Sequence, residues 1–141
     1  MAEKQFPIVV ALITNDQGEV LLAKRYEPAL KHAHNKWEFI GGGIDFGETP
    51  TEALKREVRE EAGVEIEIIR LLPEIVSNVW NLPDDNNQQV LIIAYECKII
   101  SGTPTANLDE EIGELKFYPI EEIKNLDSLP KTYEIAKLLT T

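Results

Sequence analysis

Apolar, β-branched runs separated by polar turns predict several buried strands along the chain. Residues 7–14 form the first run, and the turn residues 15–18 lead into a second strand-like segment at 19–25. This order predicts a β-hairpin at the start of the chain. Residues 90–100 are the most strongly apolar strand-like segment, so we expect that strand to be central in the sheet.

Residues 50–62 have the pattern of a helix with well-marked ends. Thr49 can cap the helix, Pro50 suits its first position, and Glu52 completes a capping box with Thr49. Gly63 is a natural stop. Apolar residues at helical spacing form one stripe that must face a core. These residues are Leu54, Val58 and Ala62.

The rest of the chain continues the alternation of strands, loops and helices. We expect extended segments at 65–72, 74–80 and 114–118, and polar loops at 81–89 and 101–113. A short helix is expected at 119–123 and a final helix at 130–140. Strands that flank one strong helix, with another helix at the end, predict an α/β fold in which a mixed sheet is covered by helices on both sides. We expect a single domain over residues 1–141.

Composition and charge narrow the range of functions. The 141 residues are 43% hydrophobic and 28% charged, which is ordinary for a globular domain. The net charge of −11 argues against nonspecific nucleic-acid binding, which needs a basic face, but it leaves a small nucleotide substrate open. The single cysteine, Cys97, lies in an apolar run and is expected to be buried. No signal-peptide pattern or membrane-length apolar run is present, so we expect a cytoplasmic protein without a membrane partner.

Glutamates crowd one edge of the predicted helix, next to its apolar stripe. Glu57 and Glu61 lie one turn apart, about 40° from each other, and Glu60 lies on the other side of Glu57. Like charges repel and partly buried carboxylates resist ionisation, so a hard divalent cation such as Mg²⁺ or Mn²⁺ would relieve both problems. The simpler alternative is a solvated acidic face. Arg56 is four residues from Glu60 and could orient a ligand carboxylate, or form an ordinary surface ion pair.

Residues 42–64 resemble the signature of the Nudix hydrolases at every fixed position. The matching residues are Gly42, Glu48, Arg56, Glu57, Val58, Glu60, Glu61, Gly63 and Val64. The opening hairpin, the entry segment 37–43 and the acidic loop before 114–118 also follow the family's order. Ile40 stands where many relatives carry proline, outside the defining positions. The resemblance implies a Nudix-type α/β/α sandwich with a mixed β-sheet between helices.

The same resemblance implies Mg²⁺-dependent hydrolysis of the pyrophosphate bond in a nucleoside diphosphate derivative, with Mn²⁺ as a substitute ion. The expected metal ligands are Glu57, Glu61, Glu60 and the carbonyl of Gly42. The general base could be Glu60, Glu57 or a residue of the acidic run 109–111. Within that run, Glu111 best matches the extra acidic group of MutT-like relatives.

Residues near the signature are candidates for substrate contacts. Arg25 ends the second predicted strand and could meet a substrate phosphate, or it could be an exposed strand end. Trp37 and Phe39 share one face of an extended segment, where an aromatic ring could stack on a base, although large aromatics are more often core residues. His32 and His34 lack a third ligand nearby, so a polar or substrate-contacting loop is favoured over a metal site.

Two alternatives belong to other functional classes. A Nudix-fold sensor would bind nucleotide without cleaving it, but such domains often lose signature carboxylates, and this chain keeps all of them. An isopentenyl-diphosphate isomerase shares the fold but needs further metal-binding histidines and a catalytic cysteine. With two histidines and a cysteine in an apolar run, this chain fits that activity poorly.

The identity of the substrate stays open at this level. An oxidised nucleoside triphosphate, ADP-ribose, a dinucleoside polyphosphate and a sugar nucleotide are all compatible with the signature. Selectivity is expected in the loops at residues 26–36 and 81–89. Many Nudix proteins form homodimers, but no apolar stripe in this sequence is clearly surplus to the core, so the oligomeric state is open as well.

Overall fold

The computed structural model describes residues 3–83 and 86–141, which form eight strands and three α-helices. The strands are β1 (Lys4–Ile13), β2 (Val20–Arg25), β3 (Trp37–Glu38), β4 (Ile40–Gly43), β5 (Glu65–Leu71), β6 (Val76–Trp80), β7 (Gln88–Ser101) and β8 (Ile112–Tyr118). The helices are α1 (Pro50–Ala62), α2 (Ile120–Ile123) and α3 (Thr132–Ala136). Short 3₁₀ turns cover Leu108–Glu110 and Lys137–Thr140.

The larger of two sheets has five strands and is mixed. Its centre is the parallel pair of β1 and β7. Strand β4 pairs antiparallel with the other edge of β1, and both β5 and β6 pair antiparallel with β7. The prediction that residues 90–100 form a central strand is confirmed, because β7 pairs with three other strands.

Helices cover both faces of this sheet, as predicted. One set of alternate side chains of β1, which includes Val9 and Ala11, packs with the apolar stripe of α1. The other set, which includes Val10 and Leu12, packs with buried residues of α2 and α3. The alternation of side chains along a strand therefore sends one strand into two cores.

The predicted hairpin between the first two strands is wrong beyond its turn. The turn does form, because the Gly18 N–H donates to the Asn15 carbonyl at 3.0 Å. Past an isolated bridge between Thr14 and Val20, however, β2 leaves for a second, three-stranded antiparallel sheet with β3 and β8. The physical reason is that both edges of β1 are already occupied by β4 and β7.

The segment that leads into the glycines crosses from one sheet to the other. Strand β3 belongs to the small sheet and β4 to the large one. Trp37 and Phe39 are buried in one core and Ile40 in the other, so the predicted alternation of faces is confirmed. Because this short segment joins the two sheets, it brings the end of β2 close to the glycine strand.

Helix α1 has the predicted ends. The Glu52 N–H donates to the Thr49 hydroxyl at 3.2 Å, and the Thr49 N–H donates to the Glu52 carboxylate at 2.8 Å, which completes the capping box. Gly63 follows the helix with φ of +69°, a left-handed conformation that favours glycine. The stripe of Leu54, Val58 and Ala62 is fully buried.

The remaining expectations are met in part. The final helix is shorter than predicted, because α3 gives way to a 3₁₀ turn after Ala136. Strands β6 and β7 pair across the predicted polar connection, although its residues 84 and 85 lie outside the described part of the chain, as do residues 1 and 2. No helix in the described ranges combines the length and apolar character needed to span a membrane.

Candidate active site

The glutamates of α1 lie against the glycine strand β4. The Gly41 N–H donates to Glu61 Oε1 at 3.3 Å, and a Cβ added at Gly42 would stand 2.7 Å from Glu57 Oε1. Only glycine allows the main chain to come this close to the Glu57 carboxylate. Gly41 is required for a different reason, because a Cβ at that position would stand 2.0 Å from the Val9 carbonyl oxygen of β1.

Arg56 is the centre of the first of two arginine-centred clusters. Its Nε and Nη2 donate to the two oxygens of Glu48 at 2.7 and 2.9 Å. Its Nη1 bridges Glu57 at 3.0 Å and Glu60 at 3.3 Å. Arg56, Glu48, Glu57 and Glu60 are called the Arg56 cluster below. The prediction that Arg56 orients signature carboxylates agrees with these contacts, and the turn before α1 folds back so that Glu48 joins them.

Glu61 differs from its two helical neighbours. In residues 3–83 and 86–141 it forms no ion pair with a basic side chain. Burial, then the hydrogen bond and negative charge of Glu57, and then the charge of Glu38 raise the pKa of Glu61 to about 9, against the opposing Gly41 N–H. Glu61 is therefore the helical carboxylate that an added positive charge would stabilise most.

The donor set at this place fits a hard divalent cation. Two carboxylates, Glu57 and Glu61, stand beside the main chain of Gly42, and all of these donors are oxygen. Within the described ranges, the side chains form no group of three or more histidine, cysteine, aspartate or glutamate residues that is arranged to hold a metal ion. The expectation that all three helical glutamates lack compensation without a metal is wrong for Glu57 and Glu60, because Arg56 already bridges them.

Arg25 is the centre of a second cluster, at the end of β2. Its Nε and Nη2 donate to the two oxygens of Glu38 at 2.8 and 2.7 Å. Its Nη1 lies 2.9 Å from Glu27 and 3.5 Å from Glu111. Arg25, Glu27, Glu38 and Glu111 are called the Arg25 cluster below. Arg25 is thus neither an exposed strand end nor a free cation, and its three carboxylate partners do not support the predicted contact with a substrate phosphate.

Glu38 is a site residue that sequence reasoning missed. Burial raises its pKa, the hydrogen bonds and charge of Arg25 oppose that rise, and the charge of Glu27 adds to it. The antiparallel register sets Glu38 opposite Ala23, two residues from Arg25 on the same face of β2. The available signal was the alternation that turns Glu38 away from Trp37 and Phe39, but it identified no partner without the strand pairing.

A cavity of about 250 Å³ is lined by two members of the Arg25 cluster and by the glycine strand β4. Its polar end is formed by Arg25, Glu38, Gly41 and Gly42. Most of its remaining wall is apolar and includes Ile8, Val10, Phe39, Ile92, Leu129 and Ile135. An apolar cavity with a few polar groups gathered at one end is typical of a small-molecule site.

Only one of the two candidate aromatics lines this cavity. Phe39 does so, as predicted. The Trp37 ring does not line the cavity and packs edge-on against Tyr118 with 5.1 Å between centroids, so the structure supports a core role for Trp37 and no stacking on a substrate. His32 packs against Trp80, while His34 Nδ1 accepts a hydrogen bond from the Glu27 N–H at 3.0 Å. Both histidines therefore make packing and hydrogen-bond contacts within the protein, which agrees with the expected role in a polar loop.

Comparison with known proteins relates this arrangement to one family. The family model described as NUDIX domain matches residues 4–139. The RNA pyrophosphohydrolase of Acinetobacter baylyi is 46% identical over 68 residues, which cover 48% of this chain and 37% of that protein. The 8-oxo-dGTP diphosphatase of Escherichia coli is 43% identical over 61 residues, which cover 43% of this chain and 46% of that protein. The matched region is thus less than half the length of either relative.

Solved structures agree on the fold. The MutT protein from Methanosarcina mazei Go1 superposes with a TM-score of 0.78 at 22% identity, over 100% of this chain and 99% of that one. The NUDIX domain of Shewanella oneidensis NrtR, complexed with ADP ribose, superposes with a TM-score of 0.71 at 19% identity, over 96% and 86%. At these identities the likeness is one of fold.

Proposed function

The chain belongs to the Nudix family, and from that premise we propose that it hydrolyses the pyrophosphate bond of a nucleoside diphosphate derivative with the help of Mg²⁺. Members of this family generally need a divalent metal ion. The observation that carries the proposal is the Glu57–Glu61 carboxylate pair beside Gly42, in a chain that keeps every signature residue. A structural protein would have no reason to hold these carboxylates together.

Glu57 and Glu61 would hold the metal ion, with Glu60 and the Gly42 carbonyl as further ligands and Mn²⁺ as a substitute ion. When bound, the ion neutralises the diphosphate and acidifies the attacking water. Binding requires Glu61 to lose its proton, so the raised pKa of this carboxyl makes metal affinity increase with pH. Glu60 is the least confined of the three helical carboxylates, because its side chain is 39% exposed.

The other residues of the site position these groups. Arg56 holds Glu57 and Glu60 through its Nη1, and its link to Glu48 anchors the arrangement to the turn before α1. Glu57, Glu60 and Glu111 are the candidates for the general base. Glu111 contacts Arg25 at the polar end of the cavity, and hydrogen bonding to Glu27 raises its pKa, which makes its carboxylate a stronger proton acceptor.

The cavity would take the nucleoside part of the substrate. Its apolar wall, with Phe39, suits a base, and its polar end directs the attached diphosphate toward Gly42 and Glu57. The substrate classes left open by the sequence remain candidates. The relatives' names add RNA to the set that must be compared and specify 8-oxo-dGTP as one oxidised nucleoside triphosphate within it.

A substrate panel tests the proposal. The panel holds 8-oxo-dGTP, dGTP, ADP-ribose, a dinucleoside tetraphosphate, a sugar nucleotide and a 5′-triphosphorylated RNA, each with Mg²⁺ or Mn²⁺. Inorganic pyrophosphatase reports cleavage of triphosphates, and a phosphatase reports the phosphomonoesters released from the others. We expect metal-dependent phosphate release with at least one substrate. A ligand that raises the melting temperature without any product would identify a sensor and overturn the proposal.

Two further expectations stay predictions, namely a single domain over residues 1–141 and a cytoplasmic location. The choice between a monomer and a homodimer stays open. Light scattering coupled to size-exclusion chromatography would decide the oligomeric state. A mass near the chain's 15.9 kDa would exclude the homodimer at the concentration used.

A further inference from the structure

The loop after β7 is fastened to the end of α1 by Thr105, whose N–H donates to the Ala62 carbonyl at 2.9 Å, and by Asn107. Its side-chain Nδ2 donates to the Glu60 carbonyl at 2.9 Å, and its backbone N–H donates to the Glu61 carbonyl at 3.2 Å. Both carbonyls lie in the last turn of the helix, where no helical N–H is available to them. Asn107 therefore binds the main chain of two signature glutamates.

The same residue also shapes the turn that leads to Glu111. Its Oδ1 accepts a hydrogen bond from the Asp109 N–H at 3.1 Å, and its carbonyl accepts from the Glu110 and Ile112 N–H groups at 3.0 and 3.1 Å. The turn ends at Glu111, whose φ of +64° is uncommon for a residue other than glycine. The Asn107 side chain thus links the helix to this turn with its donor and orders the turn with its acceptor.

Glu111 is delivered by this turn to the Arg25 cluster. Its carboxylate lies 3.5 Å from Arg25 Nη1, and its carbonyl accepts a hydrogen bond from the Tyr26 N–H at 2.7 Å. Arg25 in turn lines the cavity together with Gly42. A continuous set of contacts therefore runs from the last turn of α1, through Asn107, to the acidic group that contacts Arg25 at the cavity wall.

We propose that Asn107 is a positioning residue for the hydrolysis, which acts by fixing Glu111 relative to the glutamates of α1. The inference rests on the proposed function, because it gives Glu111 a part in the reaction. The competing explanation is that Asn107 only stabilises the fold. The two explanations differ in what happens when Glu111 is already disabled.

Two substitutions separate the contacts of the side chain. Asn107→Ala removes both the donor and the acceptor, whereas Asn107→Asp keeps the acceptor for the Asp109 N–H and loses the donor to the Glu60 carbonyl. The backbone contact to Glu61 survives in both variants, so both are expected to fold. Asn15→Ala is the matched control. Asn15 also orders a turn, because its Oδ1 accepts hydrogen bonds from the Gln17 and Glu19 N–H groups at 3.1 and 2.9 Å. Within the described residues, these hydrogen bonds do not involve α1.

Steady-state kinetics with a substrate that the wild type cleaves provide the first test. We expect Asn107→Ala and Asn107→Asp to lower kcat about tenfold and to change KM less than about twofold. Substitution of residues that position a catalytic group typically has this effect. Asn15→Ala should leave both constants unchanged. The double variant Asn107→Ala with Glu111→Gln should be no slower than Glu111→Gln alone. Effects that multiply in the double variant, or a Glu111→Gln variant as fast as the wild type, would overturn the inference.

Amide hydrogen exchange provides a second test that needs no activity. Loss of the Asn107 side chain should speed exchange at the Glu110, Glu111 and Ile112 amides at least about tenfold, while the amides of β7 stay protected. Unchanged exchange in that turn would overturn the positioning role even in an active enzyme. If instead the wild type cleaves nothing in the panel, the proposed function fails, and the exchange result still decides whether Asn107 holds the turn.

Discussion

Each of the two clusters sets one arginine among several carboxylates, but they are assembled in opposite ways. The Arg56 cluster takes all its members from residues 48–60, in and just before one helix. The Arg25 cluster combines strand β2, strand β3 and two loops, and its most distant members, Arg25 and Glu111, are far apart in the sequence. One cluster is a product of helical periodicity and the other of tertiary contact.

The clusters also differ in how completely their charges are compensated. In the Arg25 cluster the most buried carboxylate, Glu38, accepts hydrogen bonds from two of the three guanidinium nitrogens. Beside the Arg56 cluster, Glu61 has no basic partner within the described part of the chain. A cation can therefore gain more binding energy at Glu61 than at Glu38, which Arg25 already pairs. We infer that the first cluster serves metal-dependent chemistry and that Arg25 and Glu38 of the second hold the cavity wall in place, whereas Glu111 is the member with a part in the reaction.

The largest expected effect tests the inference that the glutamates of α1 serve metal-dependent chemistry. Glu57→Gln and Glu61→Gln should each reduce turnover by about 10²-fold or more, because a bound metal contributes several kcal/mol to the reaction. Both variants should fold, as judged by thermal melting. Glu67→Gln, at an exposed position of β5, is the matched control and should keep full turnover. Unchanged turnover in both variants would remove the metal assignment.

The three glycines of β4 should respond in a graded way. Gly41→Ala should cost about 3 kcal/mol of unfolding free energy, because its Cβ would meet the Val9 carbonyl of the neighbouring strand, which cannot move alone. Gly42→Ala should cost about 1 kcal/mol, because the Glu57 side chain can move aside, but turnover should fall with it. A Cβ at Gly43 meets nothing within 4 Å, so Gly43→Ala should stay within about 0.5 kcal/mol.

Urea unfolding and turnover measured on the same three variants check this order. A Gly42→Ala variant that keeps full activity would mean that the close approach between Gly42 and Glu57 has no role in the reaction. Equal losses of stability at Gly41 and Gly43 would contradict the β1–β4 contact on which the site is built.

A smaller effect tests the inference that Arg25 and Glu38 hold the cavity wall in place. Glu38→Gln should lower the free energy of unfolding by about 2 kcal/mol, because it removes a charged, two-bond contact in a buried place. Glu27→Gln removes a more exposed partner of the same arginine, with a side chain 27% exposed, and should lower it by less than about 1 kcal/mol. Urea midpoints at unchanged m-values measure both. Equal losses would mean that burial does not distinguish the two partners.

A gradual effect concerns how the stability of the metal-free protein depends on pH. The pKa of Glu61 is about 9 in the folded state against an ordinary value of 4.5, so between these values the folded chain binds a proton that the unfolded chain has lost. Stability should therefore fall as pH rises through this window, by at most about 1.4 kcal/mol per pH unit from this group. Denaturation at pH 5, 7 and 9 with a chelator measures the slope.

Two comparisons make this pH prediction specific. Glu61→Gln should flatten the slope, because the substituted side chain does not titrate. Saturating Mg²⁺ should also reduce it, because a bound cation favours the ionised carboxylate. A slope that persists unchanged in Glu61→Gln would assign the titration to another group.

Features decided by residues close together in the chain were predictable. Helix α1 begins and ends where its capping box and Gly63 indicate, and the side chains of Trp37, Phe39 and Ile40 divide between two cores as alternation requires. The edge shared by Glu57, Glu60 and Glu61 follows from helical spacing alone. Local geometry is short-ranged, so neighbouring residues carry enough information to determine it.

Features decided by contact between distant segments were not predictable. The hairpin of the first two strands fails because β4 and β7 take both edges of β1, which no local pattern reveals. The sequence pattern indicated no carboxylate partner for Arg25, whereas strand pairing brings Glu38 beside it. The pattern also left Trp37 as a candidate for substrate stacking, whereas the core encloses its ring. The sequence by itself determined the acidic helix and its signature. Only the tertiary structure decided that Arg25 pairs with Glu38 and that Glu61 has no basic partner among the described residues, because such contacts depend on distances between segments that the sequence separates.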